Sequence, residues 1–289
     1  MKQIITFMIA CLCIFYACAQ NAQSYYAHVT KIAVQIDSAI GLDHWDTLPG
    51  KIPVLYSKNY KVRAETIQAL TEECMAFYSS KFPDTKFDLQ LMVLNRDDWY
   101  RIHLEKLSSY GMPNCIPEIG KLFIAANKKA VGELFGETDT TSDTHLSRFD
   151  VIALHELGHA FLQRSNHLYT GKLWTDEFLA SYFATCFLKK HKNYPLLPQV
   201  GQTGYHPPHK ALTDFERLYD KVGARNYGWY QGQFQNLGYE LYPKYKTRLI
   251  KIFIDNYSKS GKKLPPLMLL KQLEPKIVGR WEQEMDNKK

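Results

Sequence analysis

The run Val151-Ile-Ala-Leu-His155-Glu156-Leu-Gly-His159-Ala-Phe161 constrains this chain more than any other stretch of it. Apolar residues stand at almost every position, the pattern of a helix buried on all sides rather than laid on a surface. Into that helix the sequence inserts two imidazoles and a carboxyl. Buried polar groups without partners cost free energy, so the fold has to bring partners to them. Positions i and i+4 of a helix project from one face, and His155 and His159 can therefore share one metal ion. Glu156 lies one residue further round, out of easy coordinating reach, where a carboxylate can hold a water and take its proton. A solvated face would surround the histidines with polar residues; Leu154, Leu157, Ala160 and Phe161 stand there instead.

A catalytic zinc takes three protein ligands and keeps one position open. The candidate third ligand is Glu177, in Trp174-Thr-Asp-Glu177-Phe-Leu-Ala-Ser-Tyr182, 18 residues beyond His159. Between them Tyr169-Thr-Gly-Lys-Leu173 reads as a short loop, which lets the next helix fold back antiparallel on the first. An acid in the first turn of a helix also complements the helix dipole, a reading that needs no metal. One zinc ion on His155, His159 and Glu177 is the expected cofactor.

His155-Glu156-Leu-Gly-His159 followed by Glu177-Phe-Leu-Ala resembles the gluzincin zinc peptidases, the branch that includes thermolysin-like and aminopeptidase-N-like enzymes. The likeness covers about thirty residues closely and the remainder only by the order of elements. It implies zinc on His155, His159 and Glu177, Glu156 as general base, and a Tyr or His from the C-terminal lobe steadying the oxyanion. Tyr227 and Tyr230, in Asn226-Tyr227-Gly-Trp229-Tyr230-Gln231, are the candidates for that last role, with His206 and His209 behind them. Aromatic packing of a helix on the core accounts equally well for any one of these. Metzincins instead need a Gly and then a third His soon after the second; Leu162 and Ser165 occupy those places.

Two departures from the family pattern bear on the site. Thermolysin-like enzymes carry an Asp four residues after the third ligand, bonded to a metal-binding His. Ser181 stands there, which leaves Asp176 and Ser181 as candidate partners of the histidines. Aminopeptidase-N-like enzymes carry a Gly-x-Met-Glu-Asn element for the substrate amine; Tyr110-Gly111-Met112-Pro113-Asn114 lacks the Glu and reads as a turn. Leu122–Ala126 fits two descriptions, an ordinary core strand or an edge strand along which a peptide is added.

Around the helix pair the periodicities order themselves as an α+β fold. An N-terminal mixed α/β lobe with a small sheet (about 24–146) precedes the central metal-binding helix pair and a helical C-terminal lobe (147–289). Strands are expected at Val29–Ile36, Lys51–Tyr56, Phe87–Leu94 and Leu122–Ala126, and a helix over Val62–Lys81 stopping before Pro83. Lys128–Phe135 reads as a helical turn. Further helices are expected over Arg148–Arg164, Trp174–Lys190, Asp214–Val222, Asn226–Tyr242, Lys244–Tyr257 and Pro266–Leu273. Thr213 or Asp214 is the expected N-cap of the third of these, which ends at Gly223. The active site is expected in a cleft between the lobes.

Residues 1–19 read as a signal peptide: Lys2, the apolar run Ile4–Tyr16, then the small-x-small pattern Ala17-Cys18-Ala19. The expected mature domain is 20–289. Cys18 is also a candidate lipid-attachment site, although Phe15 stands where such a box usually has Leu. A buried N-terminal element is the third reading. The expected location is secreted, periplasmic or cell-envelope, with membrane contact only through an anchor at Cys18. No other stretch reaches the roughly 18 apolar residues that a span requires. Cleavage leaves Cys74, Cys115 and Cys186, too few for a disulfide framework. The formal charge of +7 is scattered and accompanied by no nucleic-acid-binding motif, so the expected partner is a peptide or protein substrate. Nothing in the sequence sets an oligomeric state. The first expectation is therefore an extracytoplasmic zinc peptidase hydrolysing peptide bonds with a Glu-activated water. The alternative is a non-catalytic zinc-containing binding protein of the same fold, which would have no need of Glu156.

Overall fold

The computed structural model describes residues 28–127, 146, 150–197, 205–258 and 263–286. The expected signal segment 1–19 with Cys18, and the helical turn at Lys128–Phe135, lie outside them. Within them the protein is α+β, a small mixed sheet followed by a helix-rich C-terminal part.

Five strands form the sheet: β1 (Asp46–Leu48), β2 (Val54–Tyr56), β3 (Gln90–Leu94), β4 (Asn114–Ile116) and β5 (Lys121–Ala125). Their order is β1-β2-β3-β5-β4, with β2, β3 and β5 parallel and the two edge strands antiparallel to their neighbours. Side chains of β3 and β5 alternate between two apolar layers, as the two-residue period of a strand requires. Leu91, Val93, Leu122 and Ile124 face one layer; Met92, Leu94, Phe123 and Ala125 face the other. Strands covered on both faces read as continuous apolar runs, as Leu122–Ala126 does, while Phe87–Leu94 is legible by the alternation of Phe87, Leu89, Leu91 and Val93.

The first layer holds α2 (Lys61–Ser79), the crossover between β2 and β3, and the helices of the C-terminal part. The second holds α1 (28–41) and α3 (Arg96–Arg101). Here the structure corrects the strand expected at Val29–Ile36. Ile32, Val34 and Ile36 do alternate, but Ile32, Ala33, Ile36 and Ile40 are the buried residues, and Val34 is 60% exposed. That i, i+4, i+8 stripe makes a helix that covers the sheet face. Leu122–Ala126 is likewise not an edge, since β5 lies between β3 and β4. The edge on that side is β4, which carries Cys115 in a stretch that reads as a loop.

The central helix pair consists of α4 (Ile152–His159) and α5 (Leu173–Lys190). The expected single helix Arg148–Arg164 is divided, because α4 passes directly into a π-helical stretch, Ala160–Ser165. Every residue of α5 from Leu173 to Leu188 is buried. Gly158 lets the two helices approach closely: a Cβ there would lie 3.0 Å from both Cα and O of Ala180 and 3.2 Å from Cβ of Phe183. Just ahead of α4, Asp150 forms a buried ion pair with Arg63 of α2, which ties the start of α4 to the helix that crosses the sheet.

The C-terminal part continues with α6 (Leu212–Leu218), α7 (Ala224–Tyr245), α8 (Arg248–Ser258), α9 (Pro266–Leu273) and α10 (Pro275–Asp286). The expected cap at Thr213 or Asp214 is absent; α6 starts one residue after Ala211, with no side-chain cap of its own. Its Glu216 instead accepts from the N–H of Trp174, at 2.9 Å, so that an acid from one helix serves the N-terminus of another. One continuous set of buried residues runs from Ile52 of the sheet lobe to Met285 of α10. Cys74, Cys115 and Cys186 are free thiols. Among the described residues no helix is long and apolar enough to cross a membrane.

Gly158→Ala should destabilise the protein by about 1–3 kcal/mol, because the new methyl meets backbone rather than a movable side chain. Gly279→Ala in α10, where a Cβ meets nothing within 4 Å, should instead stabilise it by about 0.5–1 kcal/mol. Urea unfolding of both variants checks the contrast in sign.

Candidate metal centre

Four polar side chains meet between α4 and α5 because each helix presents residues at i and i+4 on the facing side. His155 and His159 come from α4, and Glu177 and Ser181 from α5. The contacts run in opposite order along the two helices, 155 with 181 and 159 with 177, so the pair is antiparallel. His155 Nε2 lies 3.1 Å from His159 Nε2 and 3.2 Å from Glu177 Oε2; His159 Nε2 lies 3.7 Å from Glu177 Oε1. Zinc bonds of about 2.0–2.1 Å in a tetrahedron set neighbouring donor atoms about 3.4 Å apart, and the three separations bracket that spacing. His155, His159 and Glu177 could therefore hold a metal ion.

Hydrogen bonds aim each donor inward. His155 Nδ1 lies 3.1 Å from Ser181 Oγ. With Nδ1–H given to the serine, loss of the Nε2 proton, which otherwise faces Glu177, would free the Nε2 lone pair for an ion. Of the two expected partners, Ser181 occupies this position, while Asp176 Oδ1 accepts from Thr170 Oγ1 at 3.0 Å. Glu177 Oε1 accepts from the Tyr219 hydroxyl at 2.7 Å, and Oε2 from Gln231 Nε2 at 2.6 Å.

Burial would raise the Glu177 carboxyl, but the charges of His159 and His155 and the bonds from His155 and Tyr219 hold it well below the carboxylate range. Burial pushes His159 down to about 4. Burial also pulls on His155, where the hydrogen bond and charge of Glu177, with the charge of Glu156, outweigh it and leave the imidazole raised. A neutral imidazole at 159 beside an ionised carboxylate is the protonation state that accepts a cation, since ligands must be deprotonated to bind one.

Glu156 stands beside the triad without joining it. Its Oε2 accepts from the Cys115 N–H at 2.8 Å. That N–H is available because β4 is an edge strand whose outward groups have no neighbouring strand. Burial pushes the Glu156 carboxyl up to about 7, with the His155 charge opposing, the Glu177 charge adding and the Cys115 bond opposing. The segment after β4 is clamped by Arg164 of the π-helical stretch, whose Nη1 bonds the carbonyls of Pro117 and Glu118 at 3.1 and 3.2 Å. Gly120, at φ 62°, leaves room for the clamp: a Cβ there would lie 2.6 Å from Arg164 Nε.

A cavity of about 120 Å³ opens onto these groups, walled by Asn114, Cys115, Glu156, His159, Glu177 and Tyr227. Val29 of α1 and Gln163 of the π-helical stretch also reach it. Tyr227 thus stands at the site, its hydroxyl raised well above its ordinary pKa by burial and by the charges of Glu177 and Glu156. Tyr230 does not. Its hydroxyl donates to the Ala211 carbonyl at 2.9 Å, and its ring packs on Phe215 at 4.9 Å between centroids. Tyr227 and Gln231 are four residues apart and share a helix face, whereas Tyr230 is turned into the core. His206 is exposed and His209 is braced by Asn226 through backbone bonds of 3.1 and 2.8 Å; neither lines the cavity.

Tyr219 and Gln231 are the site residues that sequence reasoning missed. Gln231 could have been found from Tyr227 by helical spacing. Tyr219 could not, because it follows the end of α6 at φ 29°, a sparsely populated backbone conformation for a non-glycine residue. Comparison with known proteins gives no match to a family model, a curated protein or a solved structure.

A divalent metal ion at a free concentration of a hundred times its Kd should stabilise the fold by about 2.7 kcal/mol. His159→Ala should abolish that rise in Tm. Calorimetric scans with and without the ion read both, and an equal rise in the variant would remove His159 from the ligand set.

Proposed function

We propose that the protein is a gluzincin-type zinc peptidase, acting outside the cytoplasm on a peptide or protein. The observation that carries this reading is the place of Glu156: a buried carboxyl beside three convergent metal donors, anchored by a sheet-edge N–H and left out of the donor set. A purely structural ion would leave such a group without a task. Two imidazoles and one carboxylate are a donor set that catalytic zinc takes. Zinc, when bound, would supply Lewis-acid polarisation of the scissile carbonyl and lower the pKa of water.

The remaining work falls to the chain. The Cys115 N–H fixes one oxygen of Glu156, which orients the carboxyl to hold a water in the cavity and accept its proton. Glu156 then returns that proton to the leaving amine nitrogen. Tyr227, which keeps its proton, is the hydroxyl on the cavity wall able to donate to the oxyanion. Location outside the cytoplasm is supported by the pattern of residues 1–19, and attachment to a membrane by Cys18 alone.

A second reading, a non-catalytic metal-containing binding protein of the same fold, is favoured by one observation. The cavity of about 120 Å³ is small beside the roughly 300–1,000 Å³ of ordinary ligand pockets. Glu156→Gln separates the two readings. It should keep its zinc and lose roughly 10²–10⁴-fold in hydrolysis of a mixed peptide library. Full activity in the zinc-loaded variant would sink the mechanism, and a zinc-loaded wild type that cleaves no peptide would favour the second reading.

A further inference from the structure

We propose that Gln231 is a positioning residue for the metal centre, closing a hydrogen-bond ring that holds two of the three ligands from the C-terminal lobe. The proposal rests on the triad being a metal site and is independent of what reaction the site performs.

The ring is directional. His155 Nδ1 faces Ser181 Oγ at 3.1 Å, and Ser181 Oγ donates to Gln231 Oε1 at 3.3 Å. Gln231 Nε2 donates to Glu177 Oε2 at 2.6 Å, and that oxygen lies 3.2 Å from His155 Nε2. Each member has one permitted role. The ionised Glu177 carboxylate can only accept. Ser181, once it has accepted from His155, has a single proton to pass on. The residue between them must therefore donate to one neighbour and accept from the other, which a side-chain amide does on one planar group. A Glu at 231 would set an acceptor against an acceptor at Glu177; a Met would offer neither bond.

Gln231 is carried to this place by packing that does not involve the ring. Phe234, Leu237 and Leu241 bury the same helix, and a Cβ on Gly238 would meet the ring of Tyr182 on α5 at 3.3 Å. One turn further on, Gln235 is as polar and more deeply buried, but its Nε2 bonds the Leu197 carbonyl at 3.2 Å, away from the triad. The two glutamines therefore separate a positioning role from a structural one. In Gln231, α7 supplies the support that the missing acid at position 181 leaves open, and it fixes the His155 ring and the Glu177 carboxylate together.

The test measures zinc affinity by chelator competition, and the visible absorption of the cobalt(II)-substituted protein, in full-length wild type, Gln231→Met, Gln231→Glu and Gln235→Met. Both Gln231 variants should bind zinc roughly 10–100-fold more weakly and shift the cobalt bands. Gln235→Met should lower Tm while keeping wild-type affinity and spectrum. Wild-type affinity and an unshifted spectrum in the Gln231 variants overturn the proposal. If Gln231→Met fails to fold, Gln231→Glu, which preserves side-chain shape, decides on the same readouts. A wild-type protein that takes up neither ion overturns the metal reading of the triad, and this proposal with it.

Discussion

Helices α4 and α5 lie against each other where Gly158 meets the backbone of Ala180, a contact that any side chain at 158 would wedge apart. The rest of the site depends on that approach. With the helices this close and antiparallel, an i, i+4 pair on one meets an i, i+4 pair on the other, and four polar groups come within hydrogen-bonding reach of one another. The same contact sets the cost. α5 is buried along almost its full length, so any of those groups left unpaired would carry a desolvation penalty of about 1–3 kcal/mol.

The fold meets that cost by sending donors to the site from both sides. From the sheet lobe, edge strand β4 gives its Cys115 N–H to Glu156, and the Arg164 clamp holds the segment that follows. From the C-terminal lobe, Tyr219 and Gln231 each take one oxygen of Glu177. Helices α4 and α5 are thus the layer between the sheet and the C-terminal helices, and the cavity is walled by residues from both sides. A switch to π-helical turns directly after His159 is a feature often found at functional sites. Here it carries Gln163 to the cavity and Arg164 to its clamp.

Much of this was legible because long elements write their period many times over. The triad followed from His155 and His159 at helical spacing and from Glu177 in the next helix, β3 from the alternation of Phe87, Leu89, Leu91 and Val93, and β5 from an unbroken apolar run. Three-residue strands such as β1 and β4 repeat nothing, and α3 is only six residues long; α10 went unread although Val278, Trp281 and Met285 form a buried stripe at i, i+3 and i+7. Val29–Ile36 failed for a different reason. Its β-branched residues fit either period, and only the sheet face awaiting a cover decided that Ile32, Ile36 and Ile40 would be the buried ones.

By itself, the sequence determined which groups had to be brought together: two imidazoles and two carboxyls set in apolar helices need partners wherever they lie. Tertiary structure alone decided which partners arrive. Tyr227 and Tyr230 are equal candidates along the chain, yet a turn of about 100° per residue sends one hydroxyl to the cavity and the other to the Ala211 carbonyl. Ser181, Tyr219, Gln231 and the Cys115 N–H reach the site through contacts between residues 26 to 54 apart along the chain. Local periodicity fixes the direction in which a side chain leaves its own helix, whereas the group it meets depends on how separate elements pack.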